Sequence, residues 1–423
     1  MKKVFCFLCV MMITVLFPMG AQATRYYVTV DAPPEGTGAS WNDAMSLATA
    51  ISRAVAGDEL WLMGYADGGR EYSYVVPNEG YELKAGVRLY GGFAGTEASI
   101  DGRAVIDGKA YRMAYRTVLT ADIKRDDTVD ATNLIFPANT SRQDNATRVL
   151  TLNLERTSAS GNQNQQSTVV DGITIARGHA GGNGGQGGGI LVTGRGVNYE
   201  IRRCFFIENY AAEGGALCVA DGVQGGIVDR CGFFNNAAGA RGTLSNSGGA
   251  ISLRGAGTVV NTAVFNNENG GIHLYHSSAR VINSTVARNT GAGIDGTSAT
   301  SVMNTVVWGN SLLSMTDASR PSFHNSAYPE ANPGSTDDNG NVYLAARNNE
   351  AQGPHFSSPS IKTGFDTDCN GATVGSIIGM RNGLSGIPEE WYRPLNDKLC
   401  TSIFGVGIVK ISEMGEKTLK VAL

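Results

Sequence analysis

The chain has seven cysteines in 423 residues, and the five beyond residue 23 form no CxxC pair, which argues against a zinc ribbon or finger. It has few prolines, 12 against 56 glycines. Low-complexity disorder would also lack the Val, Ile and Phe that recur here at fixed positions, so the glycines read as turn residues of a fold with many turns. No segment after the first 18 residues is apolar enough to span a bilayer. Positive charge is not in excess either. Without Lys2 and Lys3, 32 basic residues stand against 38 acidic ones, a net charge of about −6. That balance argues against nucleic acid and anionic membranes as partners.

The N-terminus carries the signs of export. Lys2 and Lys3 precede the almost wholly apolar stretch Val4 to Pro18, and Ala21-Gln22-Ala23 forms a small-x-small cleavage site. The pattern predicts a signal peptide over residues 1–23 and a mature chain starting at Thr24. Cys6 and Cys9 lie inside the apolar stretch, and no lipid-attachment cysteine follows it. Cys204, Cys218, Cys231, Cys369 and Cys400 remain. Export permits disulfides, with Cys369 and Cys400 a possible pair, and the odd count leaves at least one thiol free.

Internal repetition decides the fold class. A column of small residues recurs at Cys204, Cys231, Thr262, Ser284, Thr305 and Ser326, at steps of 27, 31, 22, 21 and 21, and Ile173 fits it 31 residues earlier. Three positions before it stand Val170, Ile201, Val228, Val259, Val281, Val302 and Phe323, all apolar. Two positions after it stand Ile175, Phe206, Phe233, Val264, Val286, Val307 and Tyr328. Asn209, Asn236, Asn267, Asn289 and Asn310 follow it by five. A second landmark has the same period: glycines followed by Ile190, Leu217, Ile251, Ile272 and Ile294.

Apolar positions two apart mean strands with one buried face, and the step of three marks a bend onto another face. Asn and Gly tolerate left-handed backbone and suit such corners. A unit of 21 or 22 residues holds about three short strands and cannot bury its own apolar face, so it stacks on its neighbours by parallel pairing. The longer steps are loop insertions, as at Gly239 to Ser247. The leucine framework of a leucine-rich repeat is missing, propeller units are longer, and a sandwich would not hold the columns through seven units. The fold class expected is an all-β solenoid of parallel coils over residues 58–330.

Ser40 to Ala56 predicts a helix within an N-terminal strand-and-helix segment, 24–57. Ser40 caps it, Asp43 completes a capping box, and Gly57 ends it. Its apolar stripe of Trp41, Ala44, Leu47, Ala48, Ile51 and Val55 would cover the open end of the solenoid. Leu60 to Met63, Val87 to Tyr90 and Thr117 to Thr120 read as the first coil strands. Glu330 to Asn341 reads as a loop. Residues 331–423, with alternating runs at Val406 to Ile411 and Lys417 to Val421, read as a C-terminal cap or appendage.

These residues also carry a family resemblance. Gly214-Gly215-Ala216-Leu217 and Gly248-Gly249-Ala250-Ile251 resemble the GGA[IL] half of the repeat in polymorphic outer-membrane proteins. Phe206-Ile207-Glu208-Asn209 and Phe233-Phe234-Asn235-Asn236 resemble its FxxN half; later coils replace the Phe with Val and keep the Asn. Gly57 to Trp61 and Leu89 to Thr96 are similar to exported pectin-lyase-like β-helix proteins of Gram-negative bacteria. The resemblance spans roughly residues 25–330. It implies a right-handed single-stranded parallel β-helix, extracellular or held at the outer-membrane surface. Polymorphic membrane proteins are adhesins that end in an autotransporter barrel, for which this chain offers no room; Gly405 to Ile411 resembles the end of a type IX secretion sorting domain.

The function expected is therefore non-enzymatic binding of a glycan, matrix or host ligand. The alternative is a polysaccharide lyase or glycoside hydrolase acting on an acidic polysaccharide. Polygalacturonases need clustered Asp, a GHG-type His and an RIK-type pair; here Gly178-His179 is followed by Ala180, and no RIK occurs. The alternative's candidates are Arg202, Arg203 and Arg230 beside Asp171 and Asp229. Alternating sign in the column Asp171, Arg202, Asp229 favours a stacked salt-bridge ladder instead. Asp122, Asp126, Asp127 and Asp130 form an acidic loop that reads either as a solvated loop, which the missing ligand spacing of a calcium loop favours, or as a calcium site built from oxygen ligands. No other cofactor is expected. The Asn columns at 209 to 310 and at 261, 283, 304 and 325 read as structural ladders, and Cys204 with Cys231 as small buried thiols. His273 and His276 read as surface residues with no acidic or Cys partner nearby.

Overall fold

The computed structural model describes residues 23–66, 73–106, 113–127, 140–156, 166–182, 184–239, 247–310, 321–329, 339, 341–344, 398–400, 408–410 and 413. The signal-peptide reading, Asp130, Cys369 and most of the Gly239 to Ser247 insertion lie outside them. The chain divides into two compact units, Met1–Pro354 and His355–Leu423. In the second, Lys398–Cys400 and Ile408–Lys410 pair antiparallel.

One coil shows how the first unit is built. Tyr199–Arg202 lies on the first face, Phe205–Ile207 on the second and Leu217–Val219 on the third. Each pairs in parallel with its counterparts one coil before and one coil after, in sheets of 10, 11 and 7 strands. An antiparallel exception is Tyr65–Ala66 against the strand Tyr115–Thr120. Sequential parallel strands joined by crossovers of one hand give a right-handed parallel β-helix. The expected first coil strands are present: Glu59–Met63 and Arg88–Phe93 on the first face, Tyr115–Thr120 on the second.

The repeat columns become stacked rows inside the coil. Val170, Ile201, Val228, Val259, Val281, Val302 and Phe323 are all buried, as are Ile175, Phe206, Phe233, Val264, Val286, Val307 and Tyr328. Phe206 and Phe233 stack at 4.3 Å between ring centroids, 4° from parallel. The small column is a hydroxyl ladder: Cys231 N, Thr262 N, Ser284 N and Thr305 N each donate to the side-chain oxygen one coil on, at 3.2–3.4 Å.

Left-handed bends turn the chain from face to face, and two of them recur at positions held mostly by residues other than glycine. The first runs through Gly172, Arg203, Arg230, Asn261, Asn283, Asn304 and Asn325, with φ of +47° to +53° at the non-glycines. The second runs through Arg177, Glu208, Asn235, Asn266, Arg288 and Gly309, with φ of +53° to +66°. The two asparagine columns therefore differ in purpose. Asn261, Asn283, Asn304 and Asn325 supply backbone conformation at the first bend. The amide ladder belongs to Asn209 through Asn310, just after the second bend, where each Nδ2 and each backbone N bonds the next amide oxygen at 2.9–3.0 Å.

The N-terminal helix is shorter than its apolar stripe suggests. A 3-10 turn, Trp41–Asp43, gives way to extended backbone at Ala44, and the helix α1 spans Leu47–Arg53. Its cap is Ser46, whose Oγ accepts from Thr49 N at 3.2 Å. Met45 breaks the helix because it pairs as a parallel bridge with Val28. Asp43 completes no capping box; it accepts from Thr37 N at 3.1 Å. Helix α1 ends at Arg53 with Ala54 as its C-cap, three residues before Gly57. Met45, Leu47, Ala50, Ile51 and Ala54 join the core with Leu60, Leu62 and Val87, whereas Ala48 is exposed and Val55 is 55% exposed.

Candidate functional site

The outer side of the third face gathers a varied set of polar side chains. The glycines that precede each strand let coils approach closely: a Cβ on Gly215 would lie 1.9 Å from Ala237 O. The apolar residue after them points inward, so the next residue points outward. Parallel register then stacks Leu191, Cys218, Ser252, His273 and Asp295 in one outer row.

Residues at the strand ends complete the cluster. Glu213 is its hub, accepting from Ser252 Oγ at 2.8 Å, Gln186 Nε2 at 3.1 Å and Arg254 Nη1 at 3.3 Å. Arg254 also donates from Nε to Asp221 Oδ2 at 2.9 Å, and its guanidinium lies 5.1 Å from the centroid of Tyr275. Tyr275 stacks on His273 at 3.7 Å, tilted by 17°, and Tyr275 is 44% exposed. His273 Nε2 is 3.9 Å from Asp295 Oδ2.

The electrostatics follow from this packing. Burial, then Glu213, raises the Tyr275 hydroxyl, so the phenol stays protonated at neutral pH. Burial, with Glu213 adding to it, pushes the Cys218 thiol up to about 12 and keeps it inert. The hydrogen bond to Asp221 raises Arg254. Glu213, Asp221 and Asp295 outnumber Arg254, leaving the patch negative when His273 is neutral.

The residues proposed from sequence fall elsewhere. Asp171, Arg202 and Asp229 are in register on the first face, as their column predicts. Their side chains do not form the expected ladder. Arg202 pairs with Glu200 on its own strand, at 2.6 Å. Buried Asp171 instead binds Arg203, whose Nε donates to Oδ1 at 2.8 Å, and also faces Arg103 at 3.6 Å. Arg230 binds its neighbour Asp229 at 2.7 Å, and Asn261 Nδ2 donates to the same carboxylate at 3.0 Å. The bend explains the exchange: left-handed backbone at Arg203 and Arg230 folds these side chains back along the first face. Cys204, Cys218 and Cys231 are free and buried.

Asp122, Asp126 and Asp127 do come together, each with a carboxylate oxygen within 4.8 Å of the others. Arg142 and Arg177 bind into this cluster along with Glu208. His273, by contrast, has the acidic partner that sequence reading denied it. Asp295 is 22 residues downstream, one coil on, and invisible as a neighbour until the register is drawn. The signal was present: the residue after each apolar landmark is the outer row.

Comparison with known proteins adds little to this geometry. The family model for ADP-ribosylglycohydrolase matches residues 354–416, well under half of the chain and almost wholly outside the described residues. No curated protein matches. A crystal structure of pectate lyase Pel9A is similar over 77% of this chain and 77% of its own, at 12% identity and a TM-score of 0.42. No residue role is carried over from any of these.

Proposed function

We propose that this chain is a β-helix that binds a neutral, extended glycan along the outer side of its third face and does not cleave it. The observation that carries this reading is the exposed Tyr275 ring, stacked on His273 and bordered by Arg254 and Glu213. The polarised C–H groups of a sugar fit the exposed part of the Tyr275 ring, which His273 and Arg254 hold in place, and the polar groups around it bond the hydroxyls. The local excess of Glu213, Asp221 and Asp295 disfavours a polyanionic chain here. Binding rather than turnover is supported by the pairing of the polar groups. Glu213 already accepts from Ser252, Gln186 and Arg254, and a carboxylate so engaged is a poor general base. Export and display at the surface of a Gram-negative cell belong to the same proposal and rest on residues 1–23 and on the resemblance of the repeats.

The test is retention of a panel of neutral and acidic polysaccharides on the immobilised chain beginning at Thr24. A neutral glycan should be retained, and Tyr275→Ala should weaken that retention at least tenfold with the circular dichroism unchanged. Equal retention by Tyr275→Ala, or retention of acidic polymers alone, sinks the proposal.

A further inference from the structure

We propose that residues 121–127 bind one calcium ion through Asp122, Asp126, Asp127 and the side-chain oxygen of Asn145. The loop leaves the second face after the strand Tyr115–Thr120. Asp122 Oδ1 accepts from Asp126 N at 3.1 Å, which turns the loop back and gathers its carboxylates. Their ligand oxygens lie within 4.8 Å of one another, the separation of two oxygens on opposite sides of a calcium ion with bonds of about 2.4 Å.

A second observation points to a ligand. The Asp127 side chain is 0% exposed. Its Oδ2 accepts from Asn145 Nδ2 at 3.0 Å and faces Arg142 Nη1 at 3.5 Å and Arg177 Nε at 3.8 Å. Its Oδ1 is buried with no hydrogen-bond partner. Asn145 repeats the pattern: its Nδ2 donates to Asp127 Oδ2 and to Arg177 O, while its buried Oδ1 has no partner. Two neighbouring side chains thus each bury one unused acceptor, and native structures rarely leave such atoms unmatched.

The charge is unbalanced in the same sense. Asp122, Asp126, Asp127 and Glu208 carry four negative charges against the two of Arg142 and Arg177. The other nearby cations turn away, Lys124 to Asp144 and Arg125 to Ser73 O. A divalent ion neutralises the difference. An irregular set of carboxylate and amide oxygens suits calcium better than magnesium, which demands a near-ideal octahedron. The ion would fix the loop beside the second bend, where Arg177 and Glu208 lie on successive coils.

A competing arrangement is a water bridging Asp127 Oδ1 to Arg142 Nε, a buried donor that also has no partner. Calorimetric titration of the chelator-treated full chain with calcium separates the two. One ion per chain is expected, with a higher unfolding temperature in calcium, and Asp126→Asn and Asp127→Asn should each weaken binding at least tenfold. Asp126 is exposed, so its variant folds even where Asp127→Asn does not. No uptake up to about 10 mM calcium, beyond the weakest extracellular sites, overturns the proposal. So does wild-type affinity in Asp126→Asn, or an equal effect of magnesium.

Discussion

A single asparagine shows what the repeat costs and returns. Asn236 Nδ2 donates to Phe206 O at 3.0 Å and to Asn267 Oδ1 at 2.9 Å, while its Oδ1 accepts from Asn209 N and Nδ2 at 3.0 Å each. It is fully buried, so removing the amide strands partners on two coils. Asn236→Ala is expected to cost about 2–4 kcal/mol, checked by urea unfolding. His179 makes a different prediction. Burial, aided by Arg142, lowers its imidazole from 6.5 to about 4. The unfolded chain therefore takes up a proton that the folded chain refuses. That contribution is complete above pH 6.5 and is lost as pH falls from 6.5 towards about 4. Stability should fall more steeply across this window in the wild type than in His179→Phe; parallel curves would show that the ring is not the source.

At the scale of the coil, the left-handed bends are the decisive element. Asn283 sits at φ +48°, a region that β-branched residues avoid. Asn283→Gly should leave stability within about 0.5 kcal/mol, whereas Asn283→Val should cost about 1–2 kcal/mol, measured by thermal or urea unfolding. The inner rows of these coils were legible because burial repeats at a fixed spacing, so that Val228 and Phe233 each have an apolar or aromatic counterpart at the same place in the neighbouring units. Helix α1 was misjudged at its start because Met45 is claimed by a bridge to Val28, a long-range pairing that local periodicity cannot show. The outer rows were legible in position but not in partnership. Asp171 and Arg202 face one another in register, yet each binds another residue, because an outer side chain is free to choose among several partners. Glu213 and Tyr275 went unnoticed since they lie at strand ends, where no column recurs.

For the molecule as a whole, the first unit is a stack in which each coil covers the next, with helix α1 contributing to the core beside the earliest strands. No helix among the described residues is long and apolar enough to cross a membrane. A stack of this kind offers long flanks, and the third face combines the exposed ring of Tyr275 with hydrogen-bonding groups. The central claim is that a glycan is held there intact. The measurement that tests it most directly is prolonged incubation of the chain with the polysaccharide it retains best. Bound polymer, unsaturated-product absorbance and new reducing ends are followed together. The account predicts saturable binding that depends on Tyr275, with polymer length unchanged. New reducing ends or unsaturated products from the wild type, abolished by Glu213→Gln, would contradict it and make this face an active site.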